Sequence, residues 1–209
     1  MFKLPKELII FDVESTGTNP DTSSIIQLGA VIVDRDGNMK DEYFNRYIIP
    51  YTSEWTEHSE SVHKISKDFL AKNGYKIRWV LDEFERWARY NAGKTPKPNR
   101  SQKRLINDYY LAQWGAGWDT QMLQKAYKNI GMKYPFHYRN FDIASIVRFE
   151  LAKRGELYKK CGEIVCARRL GIKTYPDNQH DALYDAKLTA ILFSHLAKEG
   201  NNGYKKNNK

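Results

Sequence analysis

Residues 8–17 read Leu-Ile-Ile-Phe-Asp-Val-Glu-Ser-Thr-Gly, and this stretch decides the fold. The run 8–13 is apolar except at Asp12, the pattern of a strand buried on both faces and so central in a sheet. Side chains alternate along a strand, which places Asp12 and Glu14 on one face with Cα atoms about 6–7 Å apart. Ser15, Thr16 and Gly17 then break the strand. Asp-x-Glu is common and usually a solvated pair. The setting of Asp12 is different: a lone carboxylate inside Ile-Ile-Phe-Asp-Val is costly to bury, and a divalent cation shared with Glu14 removes that cost.

Working outward, 25–33 reads as a second strand. The turn-rich Asp34-Arg35-Asp36-Gly37-Asn38 carries Asp-Gly, a strong hairpin signal. A third strand over 43–49 ends at Pro50, so three strands form an antiparallel meander. Val80, Phe84, Trp87 and Ala88 recur at helical spacing and predict an amphipathic helix over 77–91. The stretch 91–104 reads as an exposed loop, with Lys94, Lys97, Arg100, Lys103 and Arg104 and no acidic residue. A fourth strand is expected over 105–113. Helices are expected over 119–130, 143–153 and 181–198, and a basic disordered tail over 201–209. Strands followed by helices with one strand between them predict a single α/β domain, residues 1–200, with a mixed central sheet flanked by helices.

The last helix gives an independent signal. On a wheel of 100° per residue, Ala182, Ala186, Leu188, Ala190, Leu192, Phe193, Leu196 and Ala197 form one apolar arc. Asp185 falls inside it, where an acid is rare unless paired or bound to metal. Asp181 sits at the helix start, where the helix dipole is reason enough for an acid. Asp119 follows the fourth strand across Trp114-Gly115-Ala116-Gly117; taken alone it is a helix N-cap. His180 stands five residues before Asp185. A lone histidine is more often structural, but imidazole titrates near neutrality, and beside a metal ligand it is a candidate general base. His195 falls on the polar face of its helix; His58, His63 and His137 have no acidic partner visible in sequence.

The chain has 209 residues, enough for one sizeable core. Its formal net charge of +9 and 41% hydrophobic content fit a folded protein with a polyanionic partner. Cys161 and Cys166 match neither a zinc nor a redox spacing and read as reduced thiols. The start of the chain lacks the apolar core of a signal peptide, and no apolar run suits a bilayer span. The expectation is a cytoplasmic protein without a membrane partner.

These motifs resemble those of the DEDDh exonucleases of the DnaQ-like, ribonuclease H-like superfamily. The opening motif is Phe11-Asp12-Val13-Glu14-Ser15-Thr16-Gly17. The closing one is His180-Asp181-Ala182-Leu183-Tyr184-Asp185-Ala186, similar to the family's His-x-Ala-Leu-x-Asp-Ala. Val62-His63-Lys64-Ile65-Ser66 is similar to the family's Val-His-Gly-Ile-Thr. One departure stands between them: where many members have Asn-x-x-Phe-Asp, this chain has Gly115-Ala116-Gly117-Trp118-Asp119, which looks like some RNA-trimming members.

The resemblance implies a ribonuclease H-like fold and a 3′→5′ exonuclease. Asp12, Glu14, Asp119 and Asp185 would hold two Mg²⁺ or Mn²⁺ ions, and His180 would take the proton of the attacking water. Ser15, Thr16 and Gly17 would lie against the terminal nucleotide. Trp118 is a candidate to stack on a base, as is Trp55; Trp79 and Trp87 are assigned to the core, and Trp114 has no assignment. The expected products are nucleoside 5′-monophosphates released from the 3′ end of single-stranded nucleic acid. DNA is the first guess and RNA the alternative, and a polymerase or RNA-processing partner is unspecified. A catalytically inactive nucleic-acid-binding module is the reading opposed by the presence of all five catalytic residue types. Two further basic stretches, 153–173 with seven basic and two acidic residues and the tail with Lys205, Lys206 and Lys209, predict salt-sensitive binding.

Overall fold

The computed structural model describes residues 2–91, 105–115, 117–157 and 159–206, with backbone alone from residue 200. Five strands form one sheet: β1 (Glu7–Ser15), β2 (Ile25–Val33), β3 (Met39–Tyr47), β4 (Tyr109–Gln113) and β5 (Asn140–Asp142), in the order β3-β2-β1-β4-β5. β1 pairs antiparallel with β2, and β2 with β3. β4 is parallel to β1, and β5 to β4. The hairpin half follows from short connections, whereas a parallel return needs a long crossover. Between β3 and β4 that crossover contains α1 (Glu57–His63), α2 (Lys67–Asn73) and α3 (Ile77–Asn91); between β4 and β5 it is α4 (Trp118–Asn129). After β5 come α5 (Ile143–Lys153), α6 (Glu163–Arg169) and α7 (Ala182–Lys206). The mixed central sheet flanked by helices that the sequence predicts is the fold observed.

The central position of β1 places a core on each face. Ile9, Phe11 and Val13 pack with Val80, Phe84, Met122 and Leu123 of α3 and α4. Leu8 and Ile10 pack with Val147, Leu151, Leu188 and Leu192 of α5 and α7. Asp12 and Glu14 continue the second row, so alternation carries both carboxylates to the α7 face. The turn from β2 to β3 is built as its sequence asks. Asp34 Oδ1 accepts from the Asp36 and Asn38 amides at 2.9 and 2.8 Å, and Gly37 has φ +85°.

α7 is seated on β2 by two residues of one strand face. Gln27, fully buried, accepts from the Ala182 amide at 3.2 Å and donates to Asp181 Oδ2 at 3.0 Å. Gly29 lies opposite Asp12; a Cβ on it would meet the Ala182 carbonyl carbon and the Leu183 nitrogen at 2.3 Å. That is backbone, which cannot rotate aside. Gly29→Ala is therefore expected to push α7 off the sheet and cost about 1–3 kcal/mol, the range for overpacking. A lower urea midpoint is the readout, and an unchanged midpoint would show that α7 is free to shift.

Several boundaries differ from expectation. The fourth strand is Tyr109–Gln113, not 105–113; Ile106 makes only an isolated bridge to Phe136. The third starts at Met39 and ends at Tyr47. α1, α2 and β5 went unread because elements of seven, seven and three residues are too short to show a period. α7 continues through residues 201–206, which were expected to be disordered, because adding a turn to an already formed helix costs little; residues 207–209 and most of the basic loop lie outside the described residues. Trp87 packs on the first core cluster, but Trp79 is 40% exposed, stacked on Tyr75. No described helix is long and apolar enough to cross a membrane.

Candidate active site

The site forms where β1 ends. The register with β2 shifts between Glu14 and Ser15, the last pair being Ser15 with Ile25, and such irregularities re-aim side chains at strand ends. Asp12 and Glu14 point to the face covered by α7. Asp185 comes to them from the first turns of α7, just past the point at which Gln27 and Gly29 clamp the helix. Asp119 arrives from α4. Its N-cap is Gly117, with φ +93°, so Asp119 lies inside the first turn and is not the cap itself. The Val13 backbone amide at the end of β1 is near enough to its carboxyl to hold its pKa down.

His180 precedes α7 in a left-handed conformation, φ +67°. Its backbone N–H donates to Asp185 Oδ2 at 2.9 Å, while Asp181 caps the helix by accepting from the Tyr184 amide at 2.9 Å. One ligand atom each from Glu14, His180 and Asp185 lie within 4.8 Å of one another. All five residues singled out in the sequence line a single cavity of about 460 Å³. The imidazole of His180 is exposed; partial burial and then the charge of Lys64 hold its pKa below the usual value, so it is neutral at physiological pH and able to accept a proton.

The carboxyls are crowded. Burial, then Asp185 and Asp119, push Glu14 up to about 9. Burial raises Asp119 to about 7 against the Val13 amide, and Asp185 to about 6 against the His180 amide. Asp12 is raised well above its ordinary value by burial, then Asp119 and Glu14. Like charges this close do not all ionise unless cations join them. Asp185 Oδ1 is buried with no hydrogen-bond partner among the described residues, an unsatisfied acceptor of the kind a cation fills. The four carboxylates offer oxygen donors, which suit a hard divalent ion. The residues present fit a metal centre.

Glu163 was missed. In the sequence it is one negative charge in a basic segment, yet at the start of α6 it is buried, lines the same cavity and accepts from Thr189 Oγ1 at 2.5 Å. Burial, then Asp185 and Asp119, hold it up at about 8 against the Thr189 hydroxyl. His58 and His63 were passed over for want of an acidic partner, and both line the cavity. His63 is buried; its Nδ1 accepts from the Ile65 amide at 2.9 Å and its Nε2 has no partner among the described residues. The one signal for it was the Val62–Ser66 stretch.

Of the expected nucleotide contacts, Ser15 and Trp118 line the cavity. Thr16 is fully buried and accepts from the Ser24 amide at 2.9 Å. Gly17 is buried against Glu54 and Ser23. The indole N–H of Trp118 donates to the Thr18 carbonyl at 3.0 Å, pinning the ring across the cavity rim. Trp55 is half-buried and donates to Glu60 at 2.6 Å.

Raised carboxyl pKa values have a stability consequence. In EDTA, between the unfolded values near 4 and the folded values of about 6 to 9, the folded state binds more protons than the unfolded one. Stability then falls as pH rises. The melting temperature of the metal-free protein is expected to drop from pH 5 to pH 9 and to recover on adding Mn²⁺; the recovery is expected to be much smaller for Asp12→Ala. Equal responses of the two proteins to Mn²⁺ would remove Asp12 from the metal centre.

Residues 9–193 match the family RNase_T, described as exonuclease. Ribonuclease T of Haemophilus ducreyi is 27% identical over 195 residues, 88% of this chain and 82% of that protein. A PolC-type DNA polymerase III of Staphylococcus saprophyticus is 26% identical over 192 residues; they make up 91% of this chain but 11% of the polymerase. Among solved structures, the nuclease domain of 3′hExo, a DEDDh family member bound to rAMP, superimposes with a TM-score of 0.69 at 18% identity, covering 93% of each chain. At that identity the likeness establishes the shared fold.

Proposed function

This chain belongs to the RNase_T exonuclease family, and from that premise we propose that it is a metal-dependent 3′→5′ exonuclease acting on single-stranded nucleic acid. DNA is the first substrate and RNA the alternative. The single observation that carries the reading is the convergence of Asp12, Glu14, Asp119, Asp185 and His180, from three separate parts of the chain, on one cavity. Similarity to a ribonuclease, to a polymerase and to a nuclease domain bound to a nucleotide supports the substrate class.

Asp12, Glu14, Asp119 and Asp185 would hold two Mg²⁺ or Mn²⁺ ions, which when bound supply water activation and neutralise charge developing on the phosphorus. His180, neutral and exposed, receives the proton of the attacking water on its ring. The P–O3′ bond breaks as the new P–O bond forms, and the departing 3′ oxygen takes up a proton. The products are a nucleoside 5′-monophosphate and a chain shorter by one. Asp185 would serve twice: Oδ1, buried and without a partner among the described residues, would be a metal ligand, while Oδ2 accepts from the His180 backbone N–H. Ser15, Thr16, Gly17 and Trp118 are assigned to the terminal nucleotide. Ser15 and Trp118 form cavity wall; Thr16 and Gly17 act from behind it.

The test is a time course on 5′-labelled single-stranded DNA and RNA of one sequence, with Mg²⁺, Mn²⁺ or EDTA. A metal-dependent ladder shortening from the 3′ end is expected, and the faster substrate identifies the sugar. Binding of both strands without cleavage would replace the enzyme by an inactive binding module.

A further inference from the structure

Trp114 closes β4 at the carboxyl end of the sheet and lines the carboxylate cavity. It is half-buried. Behind its ring stands Arg148 of α5, guanidinium carbon 5.6 Å from the indole centroid. Arg148 is itself anchored: its Nε and Nη2 donate to the Cys161 carbonyl at 3.4 and 3.3 Å. No carboxylate pairs with it among the described residues. The bond reaches across to the segment leading into α6, where Gly162 and Glu163 form adjoining cavity wall. The indole is therefore held by an anchored cation and belongs to the cavity wall.

The strand order gives Trp114 its place. The wall containing His63 belongs with Trp55 and Ile65, which pack on Ile26 of β2. Trp114 extends β4. β1, carrying Asp12 and Glu14, runs between β2 and β4. The cavity thus spans the carboxylates, with His58 and His63 toward one side and Trp114 toward the other. Cleavage of a phosphodiester places a nucleotide on each side of the reacting phosphorus, and packing of Trp114 on the second core cluster does not account for its place in the cavity wall.

We propose that Trp114 is the stacking platform for the nucleotide immediately upstream of the scissile phosphate, with Arg148 as the residue that positions it. This rests on the exonuclease reading. The physical basis is that an aromatic face accepts any base, and stacking of this kind changes affinity by an order of magnitude or more when the ring is removed. A cation held behind the ring fixes its orientation and adds a cation–π attraction.

The test separates the two sides of the phosphate. A nucleoside 5′-monophosphate, as product inhibitor, occupies only the terminal side; a tetranucleotide occupies both. For Trp114→Ala the KM of the tetranucleotide is expected to rise about tenfold, with kcat nearly unchanged and the inhibition constant of the monophosphate unmoved. Trp114→Phe keeps a stacking face and restores most of the affinity; Arg148→Gln gives a smaller KM rise of the same selectivity. An unchanged KM, or a rise in both constants together, overturns the assignment, and melting temperatures distinguish a folding defect. If the wild-type protein hydrolyses nothing, the exonuclease reading fails instead. Anisotropy of a labelled tetranucleotide in EDTA still tests Trp114, with the same tenfold loss expected for the alanine variant.

Discussion

Asp185→Asn is expected to lower hydrolysis by roughly 10²–10³-fold, the range for losing one charge-stabilising group, while the protein stays folded. Asparagine keeps an oxygen to accept from the His180 amide, the bond that closes the turn before α7. It removes the charge that a cation would meet at the buried Oδ1. Burial already makes that charge costly in the absence of metal. The variant is therefore expected to melt no lower than the wild type in EDTA and to gain less from Mn²⁺. Function and stability move in opposite directions, which a structural residue does not do. Parallel melts and rate measurements decide it. A variant that unfolds would make Asp185 part of the scaffold, and one that cleaves normally would remove it from the mechanism.

His180→Ala is the second large effect, a fall of about 10²–10⁴-fold in the rate, as for loss of a general base. Mn²⁺ stabilisation should remain. Because burial and Lys64 lower the imidazole pKa, the wild-type rate is expected to rise with pH through a value below the ordinary histidine range. That limb should vanish in the variant. The left-handed backbone at this position, φ +67°, calls for a second variant: asparagine tolerates that conformation better than alanine, so His180→Asn separates loss of the ring from backbone strain. Similar losses in both variants assign the effect to the imidazole. An unchanged rate would leave the proton to another acceptor.

How much of this was legible depends on the distance over which each signal acts. Asp12 and Asp185 were readable because each is an acid inside an apolar pattern, and such a pattern is local. Asp119 carried no local signal of that kind; only the motif order drew attention to it, and its contact to the Val13 amide joins residues far apart in the chain. Glu163 was hidden for the opposite reason. Its neighbours Lys159, Lys160, Arg168 and Arg169 make the segment look like solvated surface, and only the docking of α6 against α7 buries it beside Thr189.

The sequence by itself determined the central strand, the face on which Asp12 and Glu14 lie, the apolar stripe of α7 with Asp185 within it, and the succession of elements that makes a mixed sheet. Periods of two and 3.6 residues and the cost of burying a charge are properties of contiguous chain. Tertiary structure alone decided that α7 meets β2 at Gly29 and Gln27, that α4 brings Asp119 to the end of β1, that His63 and Glu163 enter the same cavity, and that Trp114 lines it with Arg148 against its ring. Those are contacts between residues tens of positions apart, set by sheet order and by which backbones can approach closely.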